Sequence, residues 1–312
     1  MVANQSSINM SPDPEIVSEI AAEMGISPAF VEKDWFSVQA LKAIAGLEND
    51  GFQTIFSGGT SLSKGYGLIQ RFSEDLDFRC LALQSGTGGH MRRLRRAYRE
   101  GMLDAVGCSE ALVLERDGVA TASNYVKFEL GYHQQQASNP ALRSGLQVEF
   151  SFTQPRIEAE PRKIQSFVSA FSGGEAELEL LCLSPIETAA DKLSALTWRV
   201  LKRDRTAAAD DPAMIRHLHD IAALITITRD SQSLFVETVQ SSFEEDQNTV
   251  KRATGEPLSS SVKAAIGCLE SDVEYRNEYS RFVDAMSYAS DDEAIDFDTA
   301  MVALEEVGAW FE

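Results

Sequence analysis

The chain has 312 residues, 44% of them hydrophobic and 24% charged, a composition that fits a folded globular protein and excludes a disordered or fibrous chain. Lysine and arginine number 28 against 48 aspartates and glutamates, and the resulting net charge of −20 argues against a nucleic-acid binder that uses its whole surface, while leaving room for a local basic groove. Cys80, Cys108, Cys182 and Cys268 stand far apart without a CxxC pair, which excludes a disulfide scaffold or cysteine-rich zinc site and reads as buried thiols in a reducing compartment.

The amino-terminal MVANQSSINMSPDPE lacks the basic start and apolar run of a signal peptide. No segment reaches the roughly 20 apolar residues that cross a bilayer, so a cytoplasmic protein with no membrane partner is expected. Asp13-Pro14 reads as a cap followed by a first-turn proline, opening a short helix that Gly25 ends, and Ser27-Pro28 repeats the signal. In PAFVEKDWFSVQALKAIAGL, Val31, Trp35, Val38, Leu41 and Ile44 recur at three- and four-residue intervals, predicting a helix packed on one face. Residues 1–49 therefore form a helical lead-in. From Gln53 the pattern changes to short apolar runs, QTIFS, EDLDFRC, ALVLER, SNYVKFEL and LQVEFSF, with a helix over His90–Val106 between the second and third. An α/β domain over residues 50–183 follows, with turn-rich segments around Pro155, Pro161 and Gly173-Gly174 marking a transition. After Ser184-Pro185 helical spacing dominates to residue 312, and residues 221–312 carry 6 basic and 19 acidic side chains, so the acidity is concentrated there.

The densest chemical signal is IFSGGTSLSKGYGLIQRFSEDLDFRC, residues 55–80. Gly58-Gly59 follows a strand and enters Thr60-Ser61-Leu62-Ser63-Lys64, which can form a short helix. Two glycines let the backbone approach a ligand, helix-start amides and the Thr60 or Ser61 hydroxyl suit phosphate oxygens, and Lys64 can add charge. The spacing is not that of the GxxxxGK[ST] phosphate loop, and a purely structural tight turn stays open. At a strand repeat of two, Asp75 and Asp77 point to one side and Leu76 and Phe78 to the other. Adjacent carboxylates repel, and a divalent cation offsets the repulsion. Magnesium bound through carboxylates and substrate phosphates fits a site for a nucleoside triphosphate (NTP), the alternative being an edge strand with solvated acids. A third carboxylate is expected from Glu149 in LQVEFSF or Glu129 in VKFEL, with Glu149 preferred and Glu129 left to pair with Lys127. MRRLRRAYR places Arg92, Arg93, Arg95, Arg96 and Arg99 in one short stretch; these suit RNA phosphates with Tyr98 stacking on a base, a solvated helix face, or an acidic partner protein.

GGTSLSK followed by FSEDLDF, with VEKDWF upstream and VEF, ETAADKLSAL and IRHLHDI downstream, resembles the AbiEii/AbiGii family of nucleotidyltransferase toxins, whose cores are similar to the DNA polymerase beta superfamily. The resemblance covers most of residues 28–225. It implies a nucleotidyltransferase-type mixed sheet with flanking helices, and a helical region over 184–312 that completes the active site. Gly59 and Thr60 are then implied at the nucleotide phosphates, with Gly58, Ser61 and Lys64 beside them. Asp75 and Asp77 are implied as magnesium ligands in a Ser-x-Asp-x-Asp motif begun by Ser73, and Lys192 and Asp220 as active-site residues. It also implies transfer of a nucleotide to an RNA acceptor, the 3′ end of tRNA, and a cognate antitoxin. The chain departs from the pattern at His217, where Arg216 is commonly followed by Asp.

Lys192, Leu196, Arg199 and Arg203 fall at offsets of four, seven and eleven on a helix from Pro185, a basic stripe suited to triphosphate and RNA backbone or to plain solvent. Arg216 and Asp220, four apart, form a surface ion pair by default, and in view of the resemblance Asp220 orients Lys192 or the acceptor hydroxyl. The four histidines show no zinc-ligand spacing. Two other functions remain open on the same residues: nucleotidylylation or phosphotransfer to a protein, and a non-catalytic nucleotide-binding immunity or assembly protein.

Overall fold

A computed structural model describes residues 10–47, 51–115, 118–122 and 124–312. The start of the amino-terminal segment read above (residues 1–9), the end of the helical lead-in and parts of the ALVLER and SNYVKFEL runs lie outside the described residues. The chain divides into two units: Met1–Tyr66, Phe72–Pro155 and Ala159–Leu183 form one, and Gly67–Arg71, Arg156–Glu158 and Ser184–Glu312 the other.

The first unit opens with α1 (Pro14–Met24), where the Asp13 carboxylate accepts from the Glu15 amide and Gly25 ends the helix in the left-handed conformation at φ 67°. Next comes α2 (Pro28–Ala45). Its periodicity predicts one buried face, but Glu32, Lys33 and Asp34 are buried as well as Val31, Val38, Leu41 and Ile44. Each of the three charges has a partner: Glu32 accepts from the Gln135 and Gln136 amides, Lys33 bonds Glu74, and Asp34 accepts from the Phe167 amide. The VEKD stretch therefore fastens α2 to three distant segments, as buried charges require.

The sheet follows: β1 (Phe52–Ser57), α3 (Gly58–Lys64), β2 (Asp75–Ala82), α4 (Gly88–Gly107), β3 (Val113–Leu114), β4 (Ala120–Ala122), β5 (Tyr125–Gly131), β6 (Leu146–Ser151), β7 (Glu160–Ile164), α5 (Phe167–Phe171) and β8 (Leu178–Cys182). Strand order is β3-β5-β6-β2-β1-β8-β7, with β4 paired to β5. β2 runs parallel to β6 and β1 parallel to β8, the other pairs being antiparallel, so the sheet is mixed. Alternation on β2 buries Leu76, Phe78 and Cys80 and turns Asp75 and Asp77 to the other face. Phe78 stacks on Phe150 of β6 at 4.7 Å between ring centroids, and α2 and α4 add Phe36, Leu41, Tyr98 and Met102 to the same core. A fully buried Phe of this kind contributes about 1.5–3 kcal/mol, so the apolar face fixes strand register and with it the placement of the acids.

Three expectations need correction. The turn-rich transition holds two further strands, β7 and β8, which pair antiparallel from Glu160↔Cys182 to Ile164↔Leu178; Pro161 is accommodated because β7 ends the strand order and needs a partner on one side only. The run ALVLER yields only the two-residue β3. Of the four cysteines, Cys80 and Cys182 are buried, whereas Cys108 and Cys268 are exposed, and all four are free thiols.

The second unit is helical: α6 (Pro185–Leu201), a 3-10 turn (Pro212–Ile215), α7 (Arg216–Ala223), α8 (Ile225–Asp230), α9 (Gln232–Gln247), α10 (Leu258–Ser271), α11 (Val273–Met286) and α12 (Phe297–Ala309). The Ser184 hydroxyl caps α6 at the Ile186 amide, and Pro185 occupies its first turn. Glu187, fully buried, accepts from the Arg156 and Ile157 amides at 2.9 Å and so ties residues 156–158 to α6. The basic stripe stops early. α6 ends at Leu201, and Arg203 lies beyond it, buried between Asp210 and Glu278; Arg199 is half-buried and faces Asp211 at 3.3 Å. Among the described residues no helix is long and apolar enough to cross a membrane.

Candidate active site

β2 and its neighbours on either side bring the first unit's candidates together. Ser57 at the end of β1 is in register with Asp77, and on the other side Asp77 is in register with Glu149 of β6. Leu76, Phe78, Val148 and Phe150 turn into the core, so Asp75, Asp77 and Glu149 share the opposite face. Gly58, at φ +74°, follows immediately, and a Cβ built there would overlap the Asp77 carboxylate. Gly58 therefore lacks a side chain for two reasons: a left-handed backbone, and a carboxylate that lies where the side chain would be.

Thr60 is buried and its hydroxyl donates to the Asp75 carbonyl at 2.6 Å, which fastens α3 to the start of β2. Its only hydroxyl proton is thus used within the fold, where it anchors the glycine turn; of the two hydroxyls expected from the sequence at phosphate, Thr60 or Ser61, this occupies that of Thr60. Ser61 is buried as well, and Ser73 is half-buried, with its carbonyl 3.4 Å from the Thr60 hydroxyl. Lys64 pairs with the buried Asp34, donates to the Gln165 carbonyl at 3.2 Å and lies over the Phe167 ring. Burial pushes the Asp34 carboxyl up, and Lys64 opposes that shift.

The repulsion among the acids is offset by the protein's own cations. Arg143 Nη1 lies 3.2 Å from Asp75 Oδ1, and Lys127 Nζ lies 3.3 Å from Glu149 Oε1. Lys127 thus reaches across to β6, in place of the expected pairing with Glu129 along its own strand, because Lys127 and Glu149 are directly opposite in register. Gln147 donates to Glu149 Oε1 at 2.7 Å. Burial raises the Tyr125 hydroxyl pKa, and a hydrogen bond to Glu149 raises it further.

The residues present suit a magnesium ion: the donors are all carboxylate oxygens, and Asp75 Oδ1 is shielded from solvent without accepting a hydrogen bond. Among the described residues no three His, Cys, Asp or Glu side chains are already gathered to hold a metal. Arg143 and Lys127 each stand beside one of these carboxylates.

The second unit carries a different cluster. Asp220 is fully buried, accepts from Arg71 Nε and Nη2 at 2.6 Å each, and lies 2.6 Å from Lys192 Nζ. Burial alone would raise its carboxyl pKa; Arg71 and Lys192 outweigh that and hold it well below the ordinary range. Burial depresses the Lys192 ammonium in turn, opposed by Asp220. The surface ion pair between Arg216 and Asp220 does not form, because Asp220 faces inward and Arg216 turns to Asp211 at 3.5 Å. Both ring nitrogens of His217 are buried without a hydrogen bond, and burial together with Lys192, Arg216 and Arg199 holds its pKa well below the usual value.

A family model described as "Nucleotidyl transferase AbiEii toxin, Type IV TA system" matches residues 39–303, most of the chain. The protein belongs to the AbiEii family. It is accordingly a nucleotidyltransferase-type toxin of a toxin–antitoxin system. Among solved structures, MenT4, the nucleotidyltransferase toxin Rv2826c from Mycobacterium tuberculosis H37Rv, is similar with a TM-score of 0.59 at 17% identity, over 94% of this chain and 88% of that one. That likeness speaks for the fold alone. No curated protein matches the sequence.

Several residues of this AbiEii chain that shape the two clusters have no local sequence signal. Arg71 is 149 positions from Asp220, and Arg143 is 69 from Glu74, whose carboxylate receives its amide. Lys33 sits inside the quoted VEKDWF motif, yet its bond to Glu74 spans 41 residues. On α4, Tyr98 is 2% exposed and bonds Thr54 Oγ1 at 2.6 Å, so it belongs to the core and cannot stack on a base. Arg92, Arg93 and Arg96 are exposed, whereas Arg95 lies over Phe152 and Arg99 pairs with Glu100.

Proposed function

We propose that this toxin transfers a nucleotide from an NTP to a hydroxyl of RNA, with the 3′ end of tRNA as acceptor, in a magnesium-dependent reaction in the cytoplasm, under the control of a cognate antitoxin. The observation that carries the reading is the register of β1, β2 and β6, which lines Asp75, Asp77 and Glu149 along one face beside the Gly58 turn. Asp75, Asp77 and Glu149 would hold magnesium, which supplies neutralisation of triphosphate charge and orientation of the leaving group.

The chain's own groups perform the remaining tasks. Glu149 orients the acceptor hydroxyl and takes its proton as the new P–O bond forms at the α-phosphorus. The bond from the α-phosphorus to the bridging oxygen breaks, and pyrophosphate leaves with the electron pair. The backbone of Gly58 and Gly59 admits the phosphates closely because no side chain stands there. Lys192, oriented by Asp220, neutralises charge that grows on the transferred group. Lys64, the last residue of α3, adds positive charge near the turn while pairing with Asp34. The exposed Arg92, Arg93 and Arg96 of an otherwise acidic protein favour an RNA acceptor, whose phosphates they suit.

The test is incubation with α-labelled NTPs and total RNA, followed by separation of RNA and protein. Label in tRNA with the wild type, reduced about 100-fold or more in Asp77→Asn, is the expected result. Transfer by Asp77→Asn at the parental rate would overturn the assignment of Asp77, and label confined to protein would replace the acceptor.

A further inference from the structure

Arg143 is held by a small framework built on the buried Lys33. Its backbone amide donates to Glu74 Oε1 at 2.8 Å, and its carbonyl accepts from Lys33 Nζ at 2.8 Å. Lys33, with a side chain of 0% exposure, also donates to the same Glu74 oxygen at 2.5 Å. A lysine is withdrawn from water at considerable cost, and both its bonds serve to fix the residue 143 backbone and the residue immediately before Asp75. The side chain on that fixed backbone is 53% exposed. Its Nη1 donates to Gln147 Oε1 at 2.9 Å and stands 3.2 Å from Asp75 Oδ1. That oxygen accepts no hydrogen bond, so the contact between the two groups is electrostatic.

We propose that Arg143 is the resident counter-ion of Asp75, displaced when a divalent cation binds. The inference rests on Asp75 as a magnesium ligand and adds a residue that sets the affinity for the ion. Two positive charges cannot share one carboxylate oxygen without mutual repulsion, so metal binding and the Arg143 contact compete. Because the guanidinium is half in solvent while the backbone is pinned, it can swing away without opening the core. The framework of Lys33 and Glu74 makes the competition a fixed property of the site, since it holds the arginine beside the acid.

Calorimetric titration of the metal-stripped full-length protein with Mn²⁺ tests this without any turnover. Arg143→Gln keeps both backbone bonds and removes the charge; it should bind Mn²⁺ at least about fivefold more tightly than the wild type, and Arg143→Ala should reproduce the gain. Arg96→Gln, which removes an equal charge from an exposed position on α4, should leave the affinity within about twofold of the wild type, as expected for a solvent-screened charge. Unchanged or weaker binding in both Arg143 variants, or an equal gain in Arg96→Gln, would overturn the counter-ion role while leaving the magnesium site intact. Absence of Mn²⁺ binding in wild type and variants alike would overturn both.

Discussion

The acid cluster on the sheet and the Asp220 cluster among the helices hold their charges in opposite ways. In the sheet unit the acids face outward, and their cations stand off at 3.2 and 3.3 Å from exposed or half-exposed side chains. In the helical unit Asp220 is completely enclosed, with Arg71 and Lys192 each at 2.6 Å. The first arrangement exchanges partners easily and suits a face that receives a charged ligand. The second is costly to disturb, because removing one member leaves its partners charged and without compensation in a dry environment. A ligand-binding face can afford loose pairs; an orienting group has to be held rigidly.

The largest expected effect separates the two directly. Asp220→Asn leaves Arg71 and Lys192 without their counter-charge and should cost about 3–5 kcal/mol of stability. Asp77→Asn removes one of several neighbouring acids on a half-buried face and should leave stability within about 1 kcal/mol of the wild type; denaturant melts of both proteins make the comparison, and equal losses would break it. Gly58→Ala comes next, since it forces a side chain into a left-handed backbone and onto the Asp77 carboxylate. It should cost about 1–3 kcal/mol and depress transfer together with stability, whereas a substitution that costs nothing would show that the close approach is not maintained. Thr60→Val removes the bond to the Asp75 carbonyl and should cost about 1 kcal/mol.

The smallest effect is a pH dependence. His217 has a folded pKa depressed below its unfolded value, so the unfolded chain binds more protons between the two. The stability it contributes is complete above pH about 6.5 and declines as the pH falls toward the folded pKa. Unfolding midpoints measured from pH 7.5 to 5 should therefore fall less steeply in His217→Gln than in the wild type. Parallel slopes would remove His217 from the helical unit's charge balance.

Much of this organisation was legible in the chain itself, and the reasons differ by element. α1 and α2 announce their starts through Asp13-Pro14 and Ser27-Pro28, since caps and first-turn prolines are local signals. β2 and β6 follow from alternation, which also placed Asp75 and Asp77 on one side. β7 and β8 were hidden because Pro161 and Gly173-Gly174 carry strong turn preferences, and only the sheet's edge makes a proline acceptable in a strand. The clash at Gly58 depends on the register between β1 and β2, which no local pattern encodes. Arg143 and Arg71 escape a local reading, and Lys127 is paired there with Glu129 instead of Glu149, for the same reason: the acid each one faces is in a different element, and charge alone does not say which acid a given cation will meet.

β7 has a further consequence. It ends the strand order, so among the described residues one of its sides pairs with no strand, and such a side is a template on which another polypeptide can assemble. Glu160, Pro161, Arg162 and Lys163 occupy most of its length. A ring nitrogen with no hydrogen to give, flanked by solvated charges of both signs, makes a poor seam for a second copy to extend. The segment that defeats a strand reading of the sequence thereby also makes this edge of the sheet a poor template for stacking.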